Sequence, residues 1–322
     1  MPIGAVDIGG TKTAAGLVDE SGRLLSKVEA PTETENYELG LNAIVTMLRE
    51  ASRAANAPIS GIGVGSTGPV NPLTGELGEI DFLPSWRGKP LVEDLQRAFQ
   101  VKTALENDAD AAALGEAAWG AGQRKTRLIH LTIGTGIGGG VILDGRLYRG
   151  VGGAHPELGH HVVDPSGPLC SCGFRGCWES LASGPAMAAW LESQTPESSA
   201  PRERLTAKRI CQLALQGDML ASRAVEREAY YLGLGLANLI NCFCPDAIVL
   251  SGGLMKSAAL FLDPIRRVIA TGCRFVPIEK TEVALASLGE DAGLIGAASV
   301  WLYREGRLRE SPRPAQEQRI SS

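Results

Sequence analysis

"IGAVDIGGTKTAAGLVDESGRLL" runs from Ile3 to Leu25, and "LIHLTIGTGIGGGVILDGRLYRG" runs from Leu128 to Gly150. Each reads as an apolar strand, a glycine-rich turn, a second apolar strand and then a Ser-Gly or Asp-Gly turn. Two unrelated glycine-rich hairpins would account for either stretch alone. Both together, with a later Gly-Gly turn at Gly252 and Gly253, point to a duplicated unit. The chain has 322 residues, enough for two ordinary domains.

Working outward from the hairpins, Val- and Ile-rich runs alternate with helical patterns, the signature of an α/β protein. Strands are predicted at 3–8, 14–18 and 23–28. Helices follow at 38–55, 91–99, 109–120 and 292–303, with mainly helical sequence over 205–241. The stretches 61–70, 102–108 and 246–254 read as strands that run into turns. A first domain is expected over 1–120, with the helix within 292–307 packing back on it, and a second over 121–291. The polar, proline-containing tail 308–322 is expected to be disordered.

Composition narrows the function. The chain is 44% hydrophobic and 21% charged, with net charge −5. This is the balance of a globular protein, and it disfavours a nonspecific binder of nucleic acid or anionic membrane. No apolar run reaches the length of a membrane span and no signal peptide is read, so a cytoplasmic protein is expected.

The turns suggest phosphate chemistry. In "DIGGTK", Gly9 and Gly10 let backbone N–H groups approach phosphate oxygens without a Cβ in the way. Thr11 offers a hydroxyl, Lys12 a cation, and Asp7 a carboxylate suited to holding a Mg²⁺-bound water. The spacing is not that of a Walker A loop, and a strand rather than a helix follows, so neither is it a Rossmann fingerprint. Gly134, Thr135 and Gly136 form the matching turn of the second hairpin. Gly252 and Gly253 would let the adenosine of a nucleotide lie against backbone, where the competing reading is a plain strand-to-helix turn.

Of seven cysteines, three crowd into "CSCGFRGC". With His160 upstream, Cys170, Cys172 and Cys177 make one imidazole and three thiolates, the closed tetrahedral set of a structural Zn²⁺. Gly173 and Gly176 permit the tight loop. Buried or exposed thiols without metal are the competing reading. Adjacent residues of an extended segment point to opposite sides, so only one of His160 and His161 is expected to ligate.

The duplicated hairpin resembles the actin, hexokinase and Hsp70 superfamily. That resemblance implies a duplicated actin/hexokinase-like (ribonuclease H-like) pair of domains flanking a cleft. More closely, "DIGGTK" (7–12), "ELGH" (157–160) and "CSCGFRGCWE" (170–179) resemble the ROK family of sugar kinases and repressors. "STGPV" (66–70), "END" (106–108) and "SGGL" (251–254) fall in the same order.

The resemblance implies an ATP- and Mg²⁺-dependent hexose kinase acting on the 6-hydroxyl of glucose, and a homodimer or homotetramer. Asp108 would be the general base, against a competing role in helix capping. Gly68, Asn107, Glu157, His160 and Glu179 would bind the sugar, with Glu157 and Glu179 otherwise surface carboxylates. His160 would use one ring nitrogen for zinc and the other for the sugar.

Two departures bear on the substrate. Phe82 in "DFLPSW" stands where family glucokinases carry Asn, which suggests a lost contact, an Asp81 replacement or an acetamido sugar. His155-Pro156 resembles fructokinase-like members. A sugar-responsive repressor is disfavoured because Ile3 leaves no room ahead for a helix-turn-helix, and a sugar binder without catalysis because Asp108 and Lys12 are intact.

Overall fold

The structure is a computed structural model that describes residues 1–194 and 205–308. The expected tail, from 309 onward, lies outside the described residues. The chain begins with a meander, β1 (Ile3–Ile8), β2 (Lys12–Val18) and β3 (Leu24–Pro31). It continues through α1 (Tyr37–Ala55), β4 (Ile62–Ser66), the short β5 (Val70–Asn71) and β6 (Glu76–Leu77), and α2 (Leu91–Phe99). Next come β7 (Thr103–Asn107), α3 (Asp108–Trp119), and a second meander of β8 (Leu128–Ile133), β9 (Ile137–Leu143) and β10 (Arg146–Leu147). The remainder is α4 (Trp178–Ala182), α5 (Gly184–Ser193), α6 (Ala207–Leu215), α7 (Met219–Phe243), β11 (Ala247–Ser251), α8 (Leu262–Gly272), β12 (Glu282–Leu285) and α9 (Ala292–Arg304).

The duplication read from the hairpins appears as two sheets with the same order. One runs β3-β2-β1-β4-β7 and the other β10-β9-β8-β11-β12. In the first, β1–β2 and β2–β3 are antiparallel while β1–β4 and β4–β7 are parallel. In the second, β9–β10 is antiparallel and β11–β12 parallel.

Two compact units divide the chain, which passes between them four times. The first takes residues up to His130, then Gly140–Pro156, then Ala286 onward; the second takes Leu131–Gly139 and Glu157–Leu285. The break expected near residue 120 thus lies inside the first unit.

In the first unit, strand alternation sorts the core. Val6, Ile8, Ile62, Val64 and Leu105 pack with Ile44, Met47 and Leu48 of α1 and with Trp86, Leu91 and Leu95. Ile3, Ala5, Ala14 and Val18 instead meet Leu294, Ala297, Ala298 and Trp301 of α9. Helix α1 forms because its apolar residues recur every three to four positions. It is opened by the Asn36 side chain, which accepts from Leu39 N at 3.1 Å, and closed at Asn56 with φ +48°.

Candidate active site

In the first unit, Asp7 pairs across the sheet with Ala14 and so shares the face covered by α9. The helix starts beside it, since a Cβ on Gly293 would collide with the Asp7 carboxylate. Burial first, and then the Asp108 carboxylate, push Asp7 up to about 6. The turn that follows is tied at its base by Gly9 N to Lys12 O (3.1 Å). It is buttressed by the Thr32 hydroxyl, which donates to Gly9 O at 2.7 Å. Thr11 and Lys12 are exposed, and Lys12 Nζ reaches Glu29 at 2.8 Å. Phe82 lies against this turn: its Cε2 stands 2.9 Å from where a Gly10 Cβ would be.

Asn107 and Asp108 end β7 and begin α3. The structure gives the N-cap to Asn107, whose Oδ1 accepts from Ala109 N at 2.9 Å. Its Nδ2 is turned toward Gly68, 2.8 Å from where a Cβ would stand. Asp108, the first helical residue, also accepts from Ala109 N, at 2.8 Å. Helix capping therefore does not depend on Asp108. Its carboxyl is raised by burial, against the pull of the Ala109 N–H and of His155, which suits a base that must take a proton near neutral pH.

In the second unit, the β8–β9 turn and the β11 turn lie together. The nearest heavy atom to a Cβ built on Gly134 would be Gly253 N, at 3.7 Å. Thr132 and Ser251 hydroxyls meet at 3.1 Å. Gly252 has φ +95°, and any Cβ there would collide with the Ile133 backbone, so only glycine fits this turn. Glu179 closes the site from the side, its Oε2 accepting from Ile137 N at 2.8 Å beside Gly136. The exposed Glu157 precedes a single 3-10 turn, Leu158–His160. His160 N bonds Glu157 O at 3.1 Å.

The same turn aims His160 at the cysteines. His160 Nδ1 lies 3.5 Å from Cys170 Sγ and Cys172 Sγ lies 3.4 Å from Cys177 Sγ. All four donor atoms fall within 4.8 Å of one another. A tetrahedron of Zn–S bonds puts its corners roughly 3.8 Å apart, so the set fits zinc. Gly173 (φ +93°) and Gly176 (φ +68°) supply the turns. His161 faces away: its Nδ1 meets Leu158 O at 2.6 Å and its ring rests on Trp178.

Sequence reasoning missed a buried cluster in the first unit. Glu106 and Asp110, flanking Asp108, are essentially fully buried. They meet Arg149, His155 and Arg304. The available signal was a carboxylate inside an alanine run, "ADAAALGEAAWG", where a solvated helix would carry charges on one face only. Glu116 in that run is also buried and accepts from Ala121, Ser287 and Leu288 N–H groups.

Two sheets of the same order, each with a glycine turn, define an α/β protein of the actin/hexokinase kind. The chain belongs to the ROK family, whose sequence model matches residues 3–304. A glucokinase from Thermotoga maritima is 36% identical over 94% of this chain and 97% of its own. A xylose repressor from Bacillus spizizenii is 32% identical over 92% of this chain and 75% of its own. The structure of a ROK glucokinase from Streptomyces griseus with glucose and AMPPNP matches with a TM-score of 0.77 and 36% identity, covering 95% of this chain and all of that one. No helix among the described residues is long and apolar enough to cross a membrane.

Proposed function

We propose that this chain is an ATP-dependent hexose kinase that transfers the γ-phosphoryl group to the 6-hydroxyl of glucose. The observation that carries the reading is Asp108. It is a buried carboxyl held above its ordinary range, one oxygen of which shares the Ala109 N–H with the N-cap Asn107, in the same unit as the Asp7–Lys12 turn. Phosphoryl transfer asks little covalent chemistry of a protein and much positioning and charge neutralisation. Asp108 takes the hydroxyl proton as the sugar oxygen bonds to phosphorus and the bond to ADP breaks. Asn107 Nδ2, beside Gly68, is a free amide donor for a sugar hydroxyl. Glu157, His160 and Glu179 are assigned the ring hydroxyls, with Glu179 retaining Oε1 beyond its bond to Ile137.

Gly9, Gly10, Thr11 and Lys12 are assigned phosphate oxygens, as are Gly134, Thr135 and Gly136, while Gly252 and Gly253 offer flat backbone to the nucleoside. Asp7 suits Mg²⁺, because a carboxyl raised by burial is drawn back to its ionised form by a cation. The metal would neutralise phosphate charge. Zinc is assigned to His160, Cys170, Cys172 and Cys177 as a closed structural site. Ligation through Nδ1 leaves Nε2–H of His160 as a fixed donor.

The substrate is tested by competition among glucose, mannose, fructose and the two 2-acetamido sugars. A site that pairs every pyranose hydroxyl penalises a sugar that leaves a partner unpaired. We expect kcat/KM for glucose at least about tenfold above fructose. A win for fructose would overturn the glucose assignment, and a win for an acetamido sugar would give Phe82 the deciding role.

A further inference from the structure

Arg149 and His155 are the two ends of a small closed loop. Gly150 N bonds Ala154 O at 2.8 Å and Gly153 N bonds Gly150 O at 3.1 Å. Gly152 and Gly153 take positive φ to make the turn. Both ends seat on one atom: Asp110 Oδ2 forms an ion pair with Arg149 Nη1 at 2.6 Å and a hydrogen bond with His155 Nδ1 at 2.6 Å. Asp110 stands two residues after Asp108 in the first turn of α3, with no exposed surface. Immediately past His155, between Pro156 and Glu157, the chain leaves the first unit. His155 is thus the last anchored side chain before the segment that carries Glu157 and His160.

The charges around this clip say why a histidine stands there. Three carboxylates come from β7 and α3: Glu106, Asp108 and Asp110. Two guanidiniums answer them: Arg149 reaches Glu106 and Asp110, and Arg304 of α9 reaches Glu106 at 3.0 Å. From β1, Asp7 adds a further carboxyl facing Asp108. Without His155, the β7–α3 set carries one uncompensated negative charge, in a buried place where like charges disfavour one another's ionised forms. A protonated His155 brings the set to neutrality, and its charge acts on Asp108 as well as on Asp110.

We propose that His155 is a positioning residue for phosphoryl transfer, which locks the Arg149–His155 loop onto Asp110 and sets a compensating positive charge beside the base Asp108. This rests on the reading of Asp108 as base. Its bond to Asp110 explains the orientation of the ring, and its charge explains what Arg149 alone leaves undone.

The test uses the full-length enzyme with ATP and glucose over pH 5 to 9. His155→Asn puts an amide N–H where Nδ1 stands and carries no charge. The expected result is an acid limb of kcat/KM moved to higher pH by half a unit or more, about a threefold loss on that limb. The alkaline plateau and the KM for ATP stay near wild type. His155→Gln, also neutral and an amide donor, gives the same shift and serves if the Asn variant is unstable. Acid limbs that coincide with wild type in these variants overturn the proposal. Asp108→Asn, run alongside, separates the two claims. An active Asp108→Asn enzyme removes the base and this proposal with it, whereas an inactive one beside unshifted His155 variants removes this proposal alone.

Discussion

Asp108 and its neighbours show how much one position can decide. Asn107 takes the helix cap and Asp108 keeps a free oxygen, so two adjacent polar residues that look interchangeable in sequence have separate work. Phe82 is a second such case. Its ring lies against Gly10, so the departure from Asn places an apolar face beside the backbone proposed to hold phosphate. Glu228 is the opposite case, a residue with no site. Both its carboxyl oxygens are buried and unpartnered among the described residues, and burial pushes it well above the carboxylate range despite Arg227 next to it. A pKa raised in the folded state means that the native protein holds a proton the unfolded chain has lost. Stability therefore falls as pH rises above the unfolded value near 4.5. Glu228→Gln should melt about 3 °C or more above wild type at pH 8 and close to it at pH 5, by thermal unfolding at both pH values. Parallel pH dependences in the two proteins would show that Glu228 titrates normally.

At the scale of elements, one loop joins the proposed zinc ligands to the carboxylates proposed to bind the sugar. One 3-10 turn carries Glu157 at its start and His160 at its end, and α4 begins with Trp178 directly after Cys177 and carries Glu179. Loss of the metal should loosen both ends of this loop. Cys172→Ser is expected to lower zinc content, measured by elemental analysis, and to raise the KM for glucose at least about fivefold, with a smaller effect on ATP. An active wild-type enzyme without zinc would contradict it. Most of these elements were legible in the sequence. The helices at 37–55, 91–99 and 292–304 follow from apolar spacing and the glycine hairpins from their turns, and the His160 cluster from cysteine spacing. The first sheet's third strand extended further than read, to Pro31, because its alternation with charged residues hides it. The Asp110 cluster was not legible: its partners lie 39 and 45 residues away, and local pattern says nothing about pairs so distant.

For the whole molecule, the repeated hairpin was the informative feature. A strand–turn–strand unit written twice became two sheets of one order. What the sequence did not disclose is how the chain shares itself between units. The α3–β8 connection and the segment 140–156 belong with the N-terminal residues, and Asp110 holds both Arg149 and His155 of that segment while Glu106 holds Arg149. The central claim is sugar-dependent phosphoryl transfer from ATP with Asp108 as base, and ADP release on adding glucose to wild type and to Asp108→Ala tests it most directly. Rapid glucose-dependent release is expected of wild type. In the variant kcat is expected to fall at least about 100-fold, with glucose affinity within about tenfold. Wild-type enzyme that releases no ADP with any hexose, or an Asp108→Ala enzyme that keeps more than a few per cent of kcat, would contradict it.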